Sequence, residues 1–322
     1  MKSLAPYLLA LGCLTGLLPA AATAADAYPT KPVEIVVAYP PGGGSDMTAR
    51  TIADAARPLM SIPPLVINRP GASGSIGWAY VASGAPPDGY RVIIVTPEIL
   101  VVPLMGIGKT TVQDFQPIAR FSDDPLSITV RADAPWKTID EFIAYAKANP
   151  GVVTVSNAGN GTLSHIATAA MGDKMGTTFQ PVPYQGTTPA VMGVLTGDVM
   201  ATTIPNAELR EHIKAGKMRT LAVMSEKPAP GMDGIPTFKE KGYDLQFSGW
   251  RGIALPKAAP KEVVDYWRDV ARRISDSPAF RTTVIKQNLT PAFADAPEFT
   301  AAIAKQDDTF KKMWPGLKLD KQ

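Results

Sequence analysis

Short apolar strand patterns alternate with helical patterns from residue 33 onward, and this alternation restricts the chain to an α/β fold. Gly or Pro marks the changes between the two kinds of pattern, as is typical of βαβ units. The predicted strands are rich in β-branched residues and cover residues 33–39, 64–69, 90–97, 127–131, 152–158, 178–184, 199–205, 218–225 and 245–255.

The predicted helices begin where Ser, Thr or Asn is available near the capping position. They start near Ser45, Thr138, Gly161, Thr187 and Asn206.

The last third of the chain has a different character. A long amphipathic helix follows Pro260 and is expected to dock on a core, because its apolar residues share one helical face. That face consists of Val263, Val264, Trp267, Val270 and Ile274. A final helix is predicted near Pro297 and is expected to pack back on the first part of the chain.

Size and charge set broad limits on the architecture and the partners. A chain of 322 residues exceeds what one hydrophobic core usually holds, so two lobes are expected. The net charge of +3 is spread without a basic block, which argues against nucleic acid as a partner. After the first two dozen residues, no apolar stretch approaches the length of a membrane span.

The first 24 residues have the pattern of a secretory signal peptide. Lys2 precedes an apolar run from Leu4 to Leu18, and Ala22 and Ala24 occupy the positions that a signal peptidase reads. Cleavage is predicted after Ala24, which predicts a periplasmic protein. Lipoprotein processing at Cys13 is the alternative, but it leaves a very short apolar region.

Cleavage at Ala24 removes Cys13, the single cysteine of the chain. The mature protein would then form no disulfide and offer no thiolate ligand, so its stability must come from packing. The two histidines, His165 and His212, are far apart in sequence and make no metal-ligand set. We therefore expect neither a metal site nor a cofactor.

The segment PPGGGSD at residues 40–46 connects the first predicted strand to the first predicted helix. Glycines remove Cβ atoms there, and exposed backbone N–H groups at a helix start favour an anion. A plain strand-to-helix turn is the alternative, although such a turn rarely needs three consecutive glycines after two prolines. The segment therefore predicts an anion-binding turn.

A second predicted strand runs into a similar glycine-containing helix start at residues 157–162. Two such ends that face each other can hold one carboxylate between them. A charge-assisted hydrogen bond contributes about 1.5–3 kcal/mol, so four or five of them reach the roughly −8 kcal/mol of micromolar binding. No arginine is needed for such a clamp.

Other chemistry has weaker support in the sequence. Gly108, Lys109 and Thr110 read GKT, but Pro103 stands where a P-loop needs its first glycine. The glycines of residues 71–77 are spaced wrongly for a dinucleotide fingerprint and indicate a loop before a helix. Ser164 adjoins His165, but neighbours on a helix point about 100° apart and cannot act as nucleophile and base. We therefore expect no enzyme.

These motifs together resemble the Bug or TctC-type extracytoplasmic receptors of tripartite tricarboxylate transporters, over nearly the whole mature length. The order and spacing of the matching segments are specific, although each segment alone is weak. The segments are YPTKPVEIVVAYPPGGGSD, VINRPGASGSIG with PPDGY, APWKTIDEF, SNAGNGTLSH, YQGTTPAVMGVLTGDV, GIPTFKEKGYD and SGWRGIALP.

The resemblance implies a type II periplasmic-binding-protein fold, in which two Rossmann-like lobes are joined by two crossing strands. Lobe 1 would comprise residues 25–126 and 249–322, and lobe 2 residues 127–248. The crossings would fall near Ser127 and Trp250. The resemblance also implies a monomer that binds a small carboxylate and delivers it to the large and small membrane subunits of a transporter.

In this family two water-assisted loops hold one carboxylate. The first corresponds here to Pro41, Gly42, Gly43, Gly44, Ser45 and Asp46, and the second to Asn157, Gly159, Asn160, Gly161 and Thr162. His165 is expected at the edge of the pocket or behind it. Further lining residues are expected at the carboxyl ends of strands, where open α/β sheets bind ligands. They are Thr96, Tyr184, Gln185, Gly186, Thr187, Thr203 and Asn206; each has the alternative of a cap or turn residue.

Glu98 departs from the family pattern, because relatives often carry a small or amide residue after the third strand. Inside the pocket, Glu98 would disfavour a second ligand carboxylate and favour a hydroxyl or an ammonium group. The alternative, which is the more common one for glutamate, is an orientation toward solvent that carries no information.

A sensory protein that reports a bound carboxylate to a signalling partner is a second functional hypothesis, which the sequence does not separate from transport. An enzyme on the same fold is a third, but it lacks a recognisable pair of nucleophile and base.

Overall fold

The computed structural model describes residues 28–84, 86–228, 232 and 234–317. The predicted signal peptide, its cleavage site at Ala24 and Cys13 lie outside these residues. The strands are β1 (Glu34–Val37), β2 (Leu65–Asn68), β3 (Arg91–Val95), β4 (Phe115–Pro125), β5 (Ser127–Arg131), β6 (Thr154–Asn157), β7 (Gln180–Pro183), β8 (Ala201–Thr202), β9 (Met218–Val223), β10 (Ser248–Pro256) and β11 (Pro291–Asp295).

The helices fall between the strands in the order that the sequence predicts. They are α1 (Gly44–Ala56), α2 (Ser75–Ala82), α3 (Glu98–Val101), α4 (Ile139–Ala148), α5 (Leu163–Met175), α6 (Thr187–Thr196), α7 (Asn206–Lys214), α8 (Lys261–Ser275), α9 (Pro278–Lys286) and α10 (Ala296–Met313). Within the described ranges, no helix is both long enough and apolar enough to cross a membrane.

Two mixed sheets form the two halves of the molecule. The first sheet has the order β11-β4-β10-β3-β1-β2, and the second has the order β7-β6-β8-β5-β9. In the first sheet β1 is parallel to β2 and β3, and in the second β6 is parallel to β7 and β8. Strands β10 and β5 run antiparallel to their neighbours. The predicted α/β architecture is confirmed.

Three segments of the chain, through Leu126, Met224 and Phe247, are hydrogen-bonded to one another where the chain passes between the sheets. The Leu126 N–H, between β4 and β5, donates to the carbonyl oxygen of Phe247 at 2.9 Å. The carbonyl oxygen of Leu126 accepts from the Met224 N–H at 2.8 Å. Trp250, where the second crossing was expected, already lies in β10 of the first sheet. The crossing bonds are therefore centred on Leu126, Met224 and Phe247.

The predicted apolar face of α8 is confirmed as a docking face. Its five apolar residues are buried in the core behind the first sheet, together with apolar residues of β1, β3 and β10. Each such side chain contributes about 1.5–3 kcal/mol by leaving water. Trp267 also donates from its indole nitrogen to the Tyr28 hydroxyl at 2.8 Å, which fastens the start of the described chain to this helix.

Helix α10 packs on the first sheet and reaches the crossing passages. The Asp295 side chain caps it by accepting from the Glu298 N–H at 3.1 Å. Phe299 meets Trp250 edge to face at 5.1 Å between ring centroids, and Phe310 stacks on Phe247 at 5.9 Å. The helix thus supports the strands through which the two halves are joined.

Candidate functional site

A cavity of about 920 Å³ lies between the two halves. Its walls come from the turns after β1, β2 and β3 in the first half and after β6, β7 and β8 in the second, with residues 249–251 of β10. These are the carboxyl ends of the parallel strands, where open α/β sheets bind ligands.

Most of the residues that the sequence predicts for the site line this cavity. They are Pro41, Gly43, Gly44, Ser45, Thr96, Glu98, Gly159, Asn160, Thr162, Tyr184, Gln185, Gly186 and Thr187. The cavity walls do not include Gly42, Asp46, Asn157, Gly161, His165, Thr203 and Asn206. These seven residues support the walls through hydrogen bonds described below.

The start of α1 faces the cavity through Gly43, Gly44 and Ser45. Gly43 is the N-cap, and within the described chain no side chain caps this helix. The first N–H groups of a helix have no intrahelical partner, so this end attracts an anion. A Cβ atom on Gly44 would overlap the guanidinium of Arg251, so a larger residue there would displace the arginine from its position beside the helix start.

Asp46 stabilises the glycine turn before α1 through hydrogen bonds on the side away from the cavity. It is 3% exposed and accepts hydrogen bonds from the Gly42 N–H, from Arg50 and from Asn68, at 2.9 to 3.0 Å. Burial by itself raises the pKa of Asp46, but the bonds from Arg50, Gly42 and Asn68 outweigh it and lower the pKa below 3.8. The Gly42 N–H is thus hydrogen-bonded to Asp46 and does not bind a ligand.

Asp46→Asn is expected to lower the free energy of unfolding at pH 7 by about 1–2 kcal/mol, because it weakens charge-assisted bonds to a half-exposed arginine. A carboxylate whose folded pKa lies below its unfolded value stabilises the protein above about pH 4 and loses that contribution as the pH falls through the folded pKa. Urea unfolding at pH 7 and pH 3 should show the difference from wild type shrinking at the lower pH. Asp54→Asn, at an exposed carboxylate, is the control; equal losses in both variants would contradict this role.

The loop between β6 and α5 uses several of its own amides internally. The Gly159 N–H donates to Oδ1 of Asn157 at 3.0 Å, and the Ala158 N–H donates to the Ser164 hydroxyl at 3.0 Å. The Gly161 N–H donates to Nδ1 of His165 at 3.1 Å. Asn157, Gly161 and His165 therefore shape the loop, and fewer amides face the cavity here than the sequence predicts.

His165 is a neutral acceptor. It is 7% exposed, and burial lowers its pKa below the ordinary 6.5. Because Nδ1 accepts from the Gly161 N–H, the imidazole proton resides on Nε2. Neutral His165 thus holds the loop in place near neutral pH.

The imidazole of His165 is expected to titrate below pH 6.5 in NMR spectra, since the folded protein favours the neutral form. A His212→Ala variant leaves one imidazole in the chain and makes the assignment unambiguous. The bond to Gly161 exists above this pKa and is lost as the pH falls through it. An apparent pKa of 6.5 or higher would contradict the acceptor role.

The start of α6 supplies a second helix end that lines the cavity, from the other half of the molecule. Tyr184, Gln185, Gly186 and Thr187 line the wall together with Thr188, which the sequence analysis missed. Gly186 adopts a φ of 111°, which favours glycine, and no side chain among the described residues caps the helix. The N–H groups of Thr187 and Thr188 are therefore available to an anion, whereas Pro189 has no N–H and the Gly186 N–H donates to the Ala158 carbonyl oxygen.

Thr203 and Asn206 lie behind the second wall. The Thr203 hydroxyl donates to the carbonyl oxygen of Ser164 at 2.8 Å. The Asn206 side chain donates to the Thr220 hydroxyl at 2.7 Å. Both residues are buried and connect the helix starts to the second sheet.

Glu98 lines the cavity, which is the first of the two orientations that the sequence leaves open. Its carboxylate accepts a hydrogen bond from the Leu163 N–H, the first residue of α5, at 3.3 Å. Nearby, the Tyr39 and Thr96 hydroxyls are 2.8 Å apart. Burial, reinforced by the negative charge of Glu98, raises the pKa of Tyr39 well above 10, so this hydroxyl stays protonated.

Arg251 lines the cavity as well, and the sequence analysis missed it. Its Nη1 lies 2.6 Å from Oδ2 of Asp124, and its Nη2 lies 2.9 Å from Oε1 of Glu208. Burial lowers the pKa of Arg251, but these two carboxylates outweigh it and hold the pKa above its ordinary value. A charged residue within the apolar strand SGWRGIAL is the signal that could have revealed it.

The two rims of the cavity touch each other. Ser73, in the loop after β2, donates from its hydroxyl to the carbonyl oxygen of Asn160 at 2.9 Å. At the same rim, a Cβ atom on Gly161 would lie 2.5 Å from the Met105 sulfur. The halves are therefore closed on each other at this edge.

Residues 48–316 match the model of the tripartite tricarboxylate transporter family receptor, TctC. The chain belongs to this family. A TctC solute-binding protein from Polaromonas, solved without ligand, is 40% identical, with coverage of 90% of this chain and 99% of that one and a TM-score of 0.75. The periplasmic binding protein BugD is 29% identical, with coverage of 92% and 100% and a TM-score of 0.82.

Protein BugT of Bordetella pertussis is 30% identical to this TctC receptor over 293 residues, which are 89% of each chain. The resemblance to Bug and TctC receptors and the type II periplasmic-binding-protein fold are confirmed. The relatives are solute-binding receptors, and BugD is a periplasmic one.

Proposed function

We propose that this TctC receptor captures a small carboxylate in its central cavity, in the periplasm, and delivers it to the large and small membrane subunits of a tripartite transporter. The observation that carries the proposal is that the uncapped starts of α1 and α6, one from each half, meet at one cavity. Two opposed helix ends provide positive potential without a free cationic side chain.

Two solved proteins of similar fold, which are 24% and 23% identical to this chain, support a carboxylate as ligand. Rpa4515 of R. palustris was solved with adipate and MatC of Rhodopseudomonas palustris with malate. Two to three hydrogen bonds from the start of α1 and two from the start of α6, where Pro189 has no N–H, reach the free energy of micromolar binding at about 1.5–3 kcal/mol per charge-assisted bond.

Binding in this proposal closes a hinge. Lobe 1, residues 25–126 and 249–322, offers the α1 end, and lobe 2, residues 127–248, offers the α6 end. A carboxylate that contacts both ends stabilises the closed form, because the open form offers one half of the site at a time. The passages through Leu126, Met224 and Phe247 are the hinge, and one monomer suffices.

Native mass spectrometry of protein prepared gently from the periplasm tests this function. The expected result is a mature chain cleaved near Ala24 that carries one small acid, released unchanged in mass on denaturation. Added back, the acid should raise the melting temperature without being consumed. Turnover of the acid by the pure protein, or purification with no acid and no response to any carboxylate, would contradict the receptor function.

A further inference from the structure

The charged side chains of the cavity are mostly negative. Among the described residues, those that line it with a formal charge are Glu98, Glu208 and Arg251. A fourth, Asp124, lies directly behind Arg251 and is fully buried. Three carboxylates thus face one guanidinium, and their field opposes a second negative charge on a ligand.

Arg251 does not offset this imbalance for a ligand. Its two terminal nitrogens form ion pairs with Asp124 and Glu208, and its side chain is 7% exposed. Nη1 also donates to the Gly249 carbonyl oxygen at 3.3 Å. The guanidinium therefore pairs with protein carboxylates; its charge also attracts Glu98, but among the described residues Glu98 forms no ion pair with it.

Glu98 keeps acceptor capacity for a ligand. Its carboxylate accepts a long hydrogen bond from the Leu163 N–H at 3.3 Å and also interacts with the protonated Tyr39 hydroxyl, which together occupy two acceptor positions. An ionised carboxylate has about four such positions. Tyr39 and Tyr184 are among the residues that line the cavity.

We infer that the cavity selects a monocarboxylate that carries a cationic nitrogen, and that Glu98 is the residue that selects it. The inference rests on the proposed carboxylate receptor function: the helix starts of α1 and α6 hold the carboxylate of the ligand, and Glu98 receives its ammonium or quaternary ammonium group. A dicarboxylate of the same length places its second negative charge against Glu98 and is disfavoured.

Matched ligand pairs test the inference by calorimetry. Each pair has the same spacer between its two end groups: succinate with β-alanine, glutarate with γ-aminobutyrate, and adipate with δ-aminovalerate. The amino member is expected to bind wild type more tightly in every pair that binds. Glu98→Gln should shift the ratio of the two dissociation constants toward the dicarboxylate by about tenfold or more.

Glu262→Gln is the matched control, because it removes the same charge from an exposed position on α8. It should leave the ratio unchanged, and thermal melts should confirm that both variants are folded. Tighter binding of dicarboxylates to wild type, or a ratio that Glu98→Gln does not move, overturns the inference and leaves the receptor function intact. Binding of no compound in either series contradicts the receptor function as well.

Discussion

Gly43→Leu is expected to weaken binding of the co-purified carboxylate by at least about a hundredfold, since it blocks two or more charge-assisted bonds at the start of α1. A Cβ atom on Gly43 meets nothing within 4 Å, and its φ of −82° is open to any residue. The leucine side chain therefore extends into the cavity without displacing the protein. Calorimetry measures the loss, and the free energy of unfolding should fall by only about 1 kcal/mol.

Gly316→Leu is the matched control for this substitution. Gly316 lies in the turn after α10, away from the cavity walls, and its Cβ atom would meet only Asp173 at 4.0 Å. The Gly316→Leu variant should bind the carboxylate with the same affinity as wild type. Wild-type affinity in Gly43→Leu would contradict the role of the α1 end. A leucine at Gly161 makes a poorer test, because its φ of 76° and the nearby Met105 perturb the rim itself.

Arg251→Met is expected to lower the free energy of unfolding at pH 7 by about 3–5 kcal/mol, because it leaves two buried carboxylates without their cation. Asp124 is fully buried and the Glu208 side chain is 12% exposed. The pKa of an uncompensated buried carboxyl rises in the folded state, so the folded variant takes up a proton more readily than the unfolded chain. The destabilisation should therefore be smaller at pH 5 than at pH 8.

Chemical denaturation at the two pH values checks this prediction. Arg268→Met is the control, because Arg268 is 45% exposed and lies 3.8 Å from Asp265 on the surface of α8. That variant should lose less than about 1 kcal/mol at either pH. If Arg251→Met lowers the free energy of unfolding as little as the control does, the ion pairs of Arg251 with Asp124 and Glu208 do not stabilise the protein.

The sequence predicts the parallel strands and most helix starts well, because their signals are local. Thr138 caps α4 by accepting from the Glu141 N–H, as its position before a helical pattern indicates. Strand β4 was missed, since Pro117 and its charged residues break the apolar alternation. Its strand conformation comes from pairing with β10 and β11, which lie far away in sequence.

The sequence predicts which turns form the cavity walls, but it does not predict which side chains of those turns point into the cavity. A residue at the end of a strand can point into the cavity, as Thr96 does, or into the packing behind it, as Thr203 does. The choice depends on partners from other segments. For the same reason Arg251 was missed: its partners Asp124 and Glu208 come from β4 and α7, and no local pattern connects the three.

A crystal structure of the protein with its co-purified solute is the most direct test of the central claim, that helix starts from both halves hold one carboxylate. We expect carboxylate oxygens about 3 Å from backbone nitrogens in the first turn of α1 and in the first turn of α6. A solute bound outside the cavity, or one whose carboxylate touches a single half of the molecule, would contradict it.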